Sequence, residues 1–140
     1  MKLQIINGPN LNLLGMRQPE IYGAQSMEQY LESLAGAYPD IDFDYYQSNH
    51  EGDIIDAIQR IGYLTDEYCG IILNAGAYTH TSLAIADAIA AVPMPVVEVH
   101  ISNIAARETV RHHSMIAAVC RGTIAGFGMD SYRLAVEALI

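Results

Sequence analysis

Glu98 and His100 stand two residues apart in the apolar run Val96-Val97-Glu98-Val99-His100. On an extended strand, residues i and i+2 face the same side, so this carboxylate can orient the imidazole and support its charged form. Taken alone, His100 also fits a hydrogen-bonded structural role. A second polar segment holds Arg17 and Tyr22 between Gly15 and Gly23. A phenol acts as a base only as phenolate, which a neighbouring guanidinium favours. Tyr22 is nonetheless one of nine tyrosines, any of which can simply pack. A third segment reads Asn74-Ala75-Gly76-Ala77-Tyr78-Thr79-His80-Thr81-Ser82. Cations are scarce, with Lys+Arg at 7, yet Arg17, Arg107 and Arg111 fall in or near these segments. Arginines and imidazoles gathered in an acidic chain suit a small anionic ligand rich in hydrogen-bonding groups.

These segments need a frame that brings them together. Leu3 to Ile6 is a short apolar run closed by Asn7-Gly8-Pro9, and it reads as a strand. Ser26 starts a helix that runs to about Tyr38, with Met27, Tyr30, Leu31 and Leu34 on its face and Pro39 ending it. Ile41 to Gln47 alternates apolar and polar residues, as a half-buried edge strand does. Further strands are expected over 70–74, 96–99 and 122–126, and helices over 51–67, 81–92 and 131–139, with a less regular helical region over 105–117. Such alternation requires parallel strands with helices on both faces, joined by right-handed crossovers. Five strands point to one α/β domain over 1–140, a flavodoxin-like doubly wound parallel sheet ordered 2-1-3-4-5. Ligands of such sheets bind beyond the carboxyl ends of the strands, near the switch point. The three polar segments follow strands one, three and four. The connection from Gly8 to Gln25 far exceeds the usual ~2–6 residues, so it reads as a lid or binding loop.

Composition removes several function classes. The chain has 140 residues, is 51% hydrophobic, and carries a formal charge of −9. That excludes a disordered chain and binding of nucleic acid by bulk charge. No apolar run approaches the ~20 residues of a membrane helix. The opening Met1-Lys2-Leu3-Gln4 lacks the form of a signal peptide, so a cytoplasmic location is expected. Cys69 and Cys120 lie far apart without a Cys-x-x-Cys, and no His-Glu-x-x-His occurs; free thiols and no metal site are expected. Walker, Gly-x-Gly-x-x-Gly and Gly-x-Ser-x-Gly patterns are missing. A phospho-receiver needs acids where Asn7 and Asn74 stand. Charged residues make up 16%, below the roughly 25% of ordinary domains, which predicts a homo-oligomer with apolar surface at its interfaces.

In order, the segments resemble those of type II 3-dehydroquinate dehydratases. They are Asn7-Gly8-Pro9-Asn10-Leu11-Asn12-Leu13-Leu14-Gly15 with Arg17 and Tyr22-Gly23, then Ser48-Asn49-His50-Glu51-Gly52, Asn74 to Ser82, Glu98 to Asn103, and Arg107 through Ser114. The chain departs at Ala105, where the family commonly has His, and at Thr109-Val110, which replaces an acidic-aromatic pair. The resemblance implies reversible anti elimination of water from 3-dehydroquinate through an enolate, with no metal or organic cofactor. It requires no Schiff-base lysine, and the sole lysine here is Lys2. It implies Tyr22 as base beside Arg17, with Arg107 adding charge, and His100 as acid oriented by Glu98. Asn12, ranked above Asn10, is expected to hold a water at the enolate oxygen. Asn74, His80 and Arg111 are expected on the ring hydroxyls, and Ile101 and Ser102 on the carboxylate. Asp87 is expected to reach the site of a neighbouring subunit in a dodecamer of four trimers. The segment from Leu14 to Gly23 is expected to close over the substrate. The rival reading is a non-catalytic flavodoxin-like binding or receiver module, which would bind flavin or accept a phosphoryl group.

Overall fold

A computed structural model describes residues 1–140 of the chain. Its strands are β1 (Lys2–Asn7), β2 (Asp42–Gln47), β3 (Tyr68–Asn74), β4 (Val96–His100) and β5 (Gly122–Ala125). They form one parallel sheet in the order β2-β1-β3-β4-β5, the topology expected from the sequence. The helices are α1 (Pro19–Tyr22), α2 (Met27–Ala37), α3 (Glu51–Ile61), α4 (Leu83–Ala90) and α5 (Asp130–Leu139).

The alternation of side chains along each strand divides the core in two. Ile6, Ile71, Leu73 and Val96 pack with Ile54, Ile58, Ile85 and Ile89 of α3 and α4. Leu3, Ile5, Ile72, Val97 and Val99 face the other way, onto Met27, Leu34, Tyr132 and Val136 of α2 and α5. Strands covered on both faces lack a polar side, which explains the unbroken Ile71-Ile72-Leu73 run. Ile58 is fully buried, so Ile58→Ala would cost about 2–5 kcal/mol. Edge strand β2 is only partly buried, matching its alternating sequence.

Local signals fix most boundaries. The Ser26 hydroxyl accepts from the Gln29 N–H while the Gln29 side chain accepts from the Ser26 N–H, a reciprocal cap that starts α2. The Ser82 hydroxyl caps α4 through the Ile85 N–H. Two expected helices differ. The one expected over 51–67 ends at Ile61, with Gly62 as its C-cap donating to the Ile58 carbonyl and packed so tightly on Val92 that a Cβ there would sit 2.3 Å from Val92 Cγ1. Leu64 therefore lies on a turn and is 38% exposed. The region over 105–117 forms no α-helix but three separate 3-10 turns, Ile104–Ala106, Thr109–Arg111 and Ala117–Val119. Its polar groups are bound elsewhere: His112 Nε2 donates to the Arg107 carbonyl and the Met115 N–H to the Thr79 carbonyl. The long connection after β1 is partly ordered too, with a 3-10 turn at Leu11–Leu13 and α1.

Candidate active site

Register brings the strand ends together. Asn7 pairs with Gln47 on one side and Asn74 on the other, so the loops after β1 and β3 leave the sheet at the same edge. They touch immediately: a Cβ at Gly8 would lie 2.5 Å from the Ala75 carbonyl oxygen, so only glycine fits. Beyond this edge opens a crevice of about 570 Å³, counting its open mouth. Pro9, Asn10, Arg17, Tyr22, Asn74, Gly76, His80, His100, Ile101, Ser102, Arg107 and Arg111 line it. Its lining, rich in amides, imidazoles and guanidiniums, suits a small polar ligand.

One wall is built on the sheet. Glu98 is fully buried and His100 is 5% exposed. Glu98 Oε2 lies 2.5 Å from His100 Nε2. The Ser114 hydroxyl donates to Glu98 Oε1 at 3.0 Å, and the Thr123 hydroxyl at 3.4 Å. A buried carboxylate needs such partners. Since Nε2 faces Glu98, Nδ1 is the nitrogen left for a ligand. The His80 ring stacks beside it, centroids 6.2 Å apart. His80 Nδ1 must donate to the His113 carbonyl at 2.7 Å, leaving Nε2 free to accept or donate.

The facing wall comes from the loop after β1. Tyr22 ends α1, and two guanidiniums flank its ring, Arg17 at 5.3 Å and Arg107 at 5.9 Å from the centroid. Arg107 Nη1 also donates to the Tyr22 hydroxyl oxygen at 3.0 Å. Both contacts place positive charge where a phenolate would carry its negative charge. At the floor, the Ile101 and Ser102 N–H groups donate to no backbone carbonyl. Arg111 stands at the rim, hydrogen-bonded through Nε to Glu108, and this contact holds the Glu108 carboxyl below its ordinary range. No three His, Cys, Asp or Glu side chains converge as a metal centre.

The profile of the family described as "Dehydroquinase class II" matches residues 1–140. The chain belongs to the class II dehydroquinase family. It is 56% identical over 141 residues to a 3-dehydroquinate dehydratase from an Exiguobacterium species, covering 100% of this chain and 94% of that one. It is 50% identical to the 3-dehydroquinate dehydratase of Chlorobaculum tepidum, covering 99% of this chain and 93% of that one. The crystal structure of a type II dehydroquinase from Butyrivibrio crossotus superimposes with a TM-score of 0.93 at 45% identity, covering 99% of this chain and 97% of that one.

Within this dehydroquinase frame, most sequence-expected residues converge. Tyr22, Arg17, His100, Asn74, His80, Ile101, Ser102 and Arg111 all line the crevice, and Glu98 lies directly behind His100. Two do not. Both Asn10 and Asn12 are exposed, but Asn10, not Asn12, is among the residues that line the crevice. Asp87 is exposed on α4, outside this chain's own crevice. The direct partner of the Tyr22 oxygen is Arg107, to which the sequence reading gave only a supporting part beside Arg17. Ser114 and Thr123 went unnoticed as partners of Glu98. Ser114 ends the motif that runs from Arg107, whereas nothing in the local sequence marks Thr123.

Proposed function

We propose that this crevice removes water from 3-dehydroquinate with Tyr22 as base and His100 as acid. The family's reaction is that of a hydro-lyase, and the product is 3-dehydroshikimate. Tyr22, as phenolate, takes the proton on carbon two, next to the ketone. The electron pair moves into the carbonyl and forms an enolate. The enolate re-forms the ketone and expels the hydroxyl on carbon one, to which His100 gives a proton so that it leaves as water. Tyr22 then returns its proton to solvent and His100 takes one up, which restores both groups. Negative charge appears first on the enolate oxygen, where the Asn10 side chain, in place of Asn12, offers a donor or holds a water. The carboxylate takes the Ile101 and Ser102 N–H groups, and Asn74, His80 and Arg111 take the ring hydroxyls.

The observation that carries this reading is the presence in one cavity of a phenol contacted by two arginines and an imidazole backed by a buried carboxylate. The assay follows enone absorbance when purified protein meets 3-dehydroquinate. Steady appearance of the enone supports the reading. Flavin binding or phosphorylation with no enone would leave the binding-module alternative instead.

The assembly is a dodecamer of four trimers in which Asp87 completes a neighbour's site. Supporting it is the outer face of α4, where exposed Leu83, Ala84 and Ala90 surround Asp87 without a partner in this chain. The enzyme works in the cytoplasm, consistent with two unpaired cysteines, Cys69 and Cys120. Sedimentation and cell fractionation check both; a monomer, or activity outside the cytoplasm, overturns them.

A further inference from the structure

The geometry points to Tyr132, on α5 and outside the crevice, as the positioning residue that fixes how Asn74 presents its amide to the substrate. The inference deepens the reading of Asn74 as a substrate contact and rests on it. Tyr132 has no exposed surface, and its hydroxyl joins the ends of two central strands. Asn74 Nδ2 donates to Tyr132 Oη at 3.0 Å. Tyr132 Oη donates its proton to Asn7 Oδ1 at 2.7 Å. Asn7 Nδ2 in turn donates to Tyr45 Oη at 3.3 Å.

The direction of every bond is determined. A backbone N–H can only donate, so the Gly76 N–H, 3.2 Å away, must face Asn74 Oδ1. That turns Nδ2 toward Tyr132, whose oxygen accepts there and gives its one proton to Asn7. Asn74 is therefore held at both ends of its amide. One Nδ2 N–H remains uncommitted, on a side chain that lines the crevice. A ligand hydroxyl meeting that N–H must act as an acceptor, so the buried tyrosine sets the polarity of the contact without touching the ligand. Burial, the largest influence, pushes the Tyr132 hydroxyl above its ordinary range, so it keeps its proton and the chain keeps its direction at every working pH.

The test is a double-mutant cycle read in kcat and KM for 3-dehydroquinate. Asn74→Ala raises KM if Asn74 contacts substrate. Tyr132→Phe keeps the ring and removes only the hydroxyl. We expect it to raise KM about three- to tenfold, the worth of one lost hydrogen bond, with a smaller change in kcat. The double variant then resembles Asn74→Ala alone, because both substitutions disable the same contact. A purely structural tyrosine gives a lower Tm, an unchanged KM and multiplying effects in the double variant; that result overturns the inference while leaving the Asn74 contact standing. An unchanged KM in Asn74→Ala overturns the contact itself and the inference with it. Should Tyr132→Phe not fold, Asn7→Ser carries the same cycle by moving the acceptor out of reach of the Tyr132 proton, with the same outcomes.

Discussion

The two walls of the crevice are built in opposite ways. The His100 wall belongs to the sheet. Both members of its pair sit on β4, Glu98 has no exposed surface, and His100, Ser114 and Thr123 all engage its carboxylate. The Tyr22 wall hangs on a loop. Its helix α1 has four residues, all at least partly exposed, and the segment around it includes Asn10 and Gln18 at positive φ, a costly conformation for non-glycine residues. Few buried contacts mean lower local stability for this wall than for the other. His100, the proposed acid, is held by hydrogen bonds inside the protein. The proposed base, Tyr22, instead takes its hydroxyl contact from Arg107, a residue of a different segment that follows β4.

Substitutions at the two walls should differ in kind. Tyr22→Phe keeps the ring and its packing but has no group to take a proton. It should lower kcat by about 10²–10⁴ while Tm falls only slightly, because the proposed general base is lost together with a single partly buried hydrogen bond from Arg107. Glu98→Ala should lower kcat as well, but it also leaves two hydroxyls and an imidazole without their acceptor. A loss of about 1–3 kcal/mol should appear in urea unfolding. If Glu98→Ala were as stable as wild type, or Tyr22→Phe much less stable, the contrast between a firmly held wall and a loosely held one would be wrong.

A smaller effect separates the two arginines. Arg107 both donates to the phenol oxygen and lies over the ring, whereas Arg17 meets only the ring face. Loss of a charged hydrogen bond is worth about 1.5–3 kcal/mol, so Arg107→Ala should reduce kcat/KM by about ten- to a hundredfold. Arg17→Ala removes a cation–π contact of about 0.5–1 kcal/mol and should cost only about two- to fivefold. The reverse order would mean that Arg17 takes over the oxygen contact when substrate is bound.

The sheet order was legible because strand–helix alternation leaves few topologies, and the fully apolar β3 marks itself as central. The Glu98–His100 pair was legible because strand periodicity alone puts both side chains on one face. Contacts between distant segments were not. Arg107 and Tyr22 are 85 residues apart, and only the folded chain shows which arginine reaches the phenol. Asn10 and Asn12 look alike in a row of asparagines; it is the folded chain that places Asn10 in the crevice lining. The helix expected over 105–117 failed for a related reason: that segment buries little of itself and spends its polar groups on neighbours, so local propensity had nothing to hold it.

The weakest effect on activity, and the most direct measure of rigidity, comes from Cys120. Burial is the main cause that pushes its thiol from an ordinary 9.0 up to about 12, with the negative charge of nearby Glu98 adding to the rise. A raised thiol pKa means the protonated form dominates until the pH approaches that value. At pH 8 about one molecule in 10⁴ carries the thiolate, against about one in ten for an ordinary thiol. Iodoacetamide should therefore label Cys120 about a thousandfold more slowly in the native protein than in urea, and about tenfold faster with each added pH unit. Glu98→Ala should speed this labelling, since it removes the second cause. Peptide mass spectrometry reads the site directly and separates it from Cys69. Native labelling as fast as in urea would mean that Cys120 lacks the buried setting beside Glu98 that raises its pKa, and that the packing behind the His100 wall is looser than its hydrogen bonds indicate.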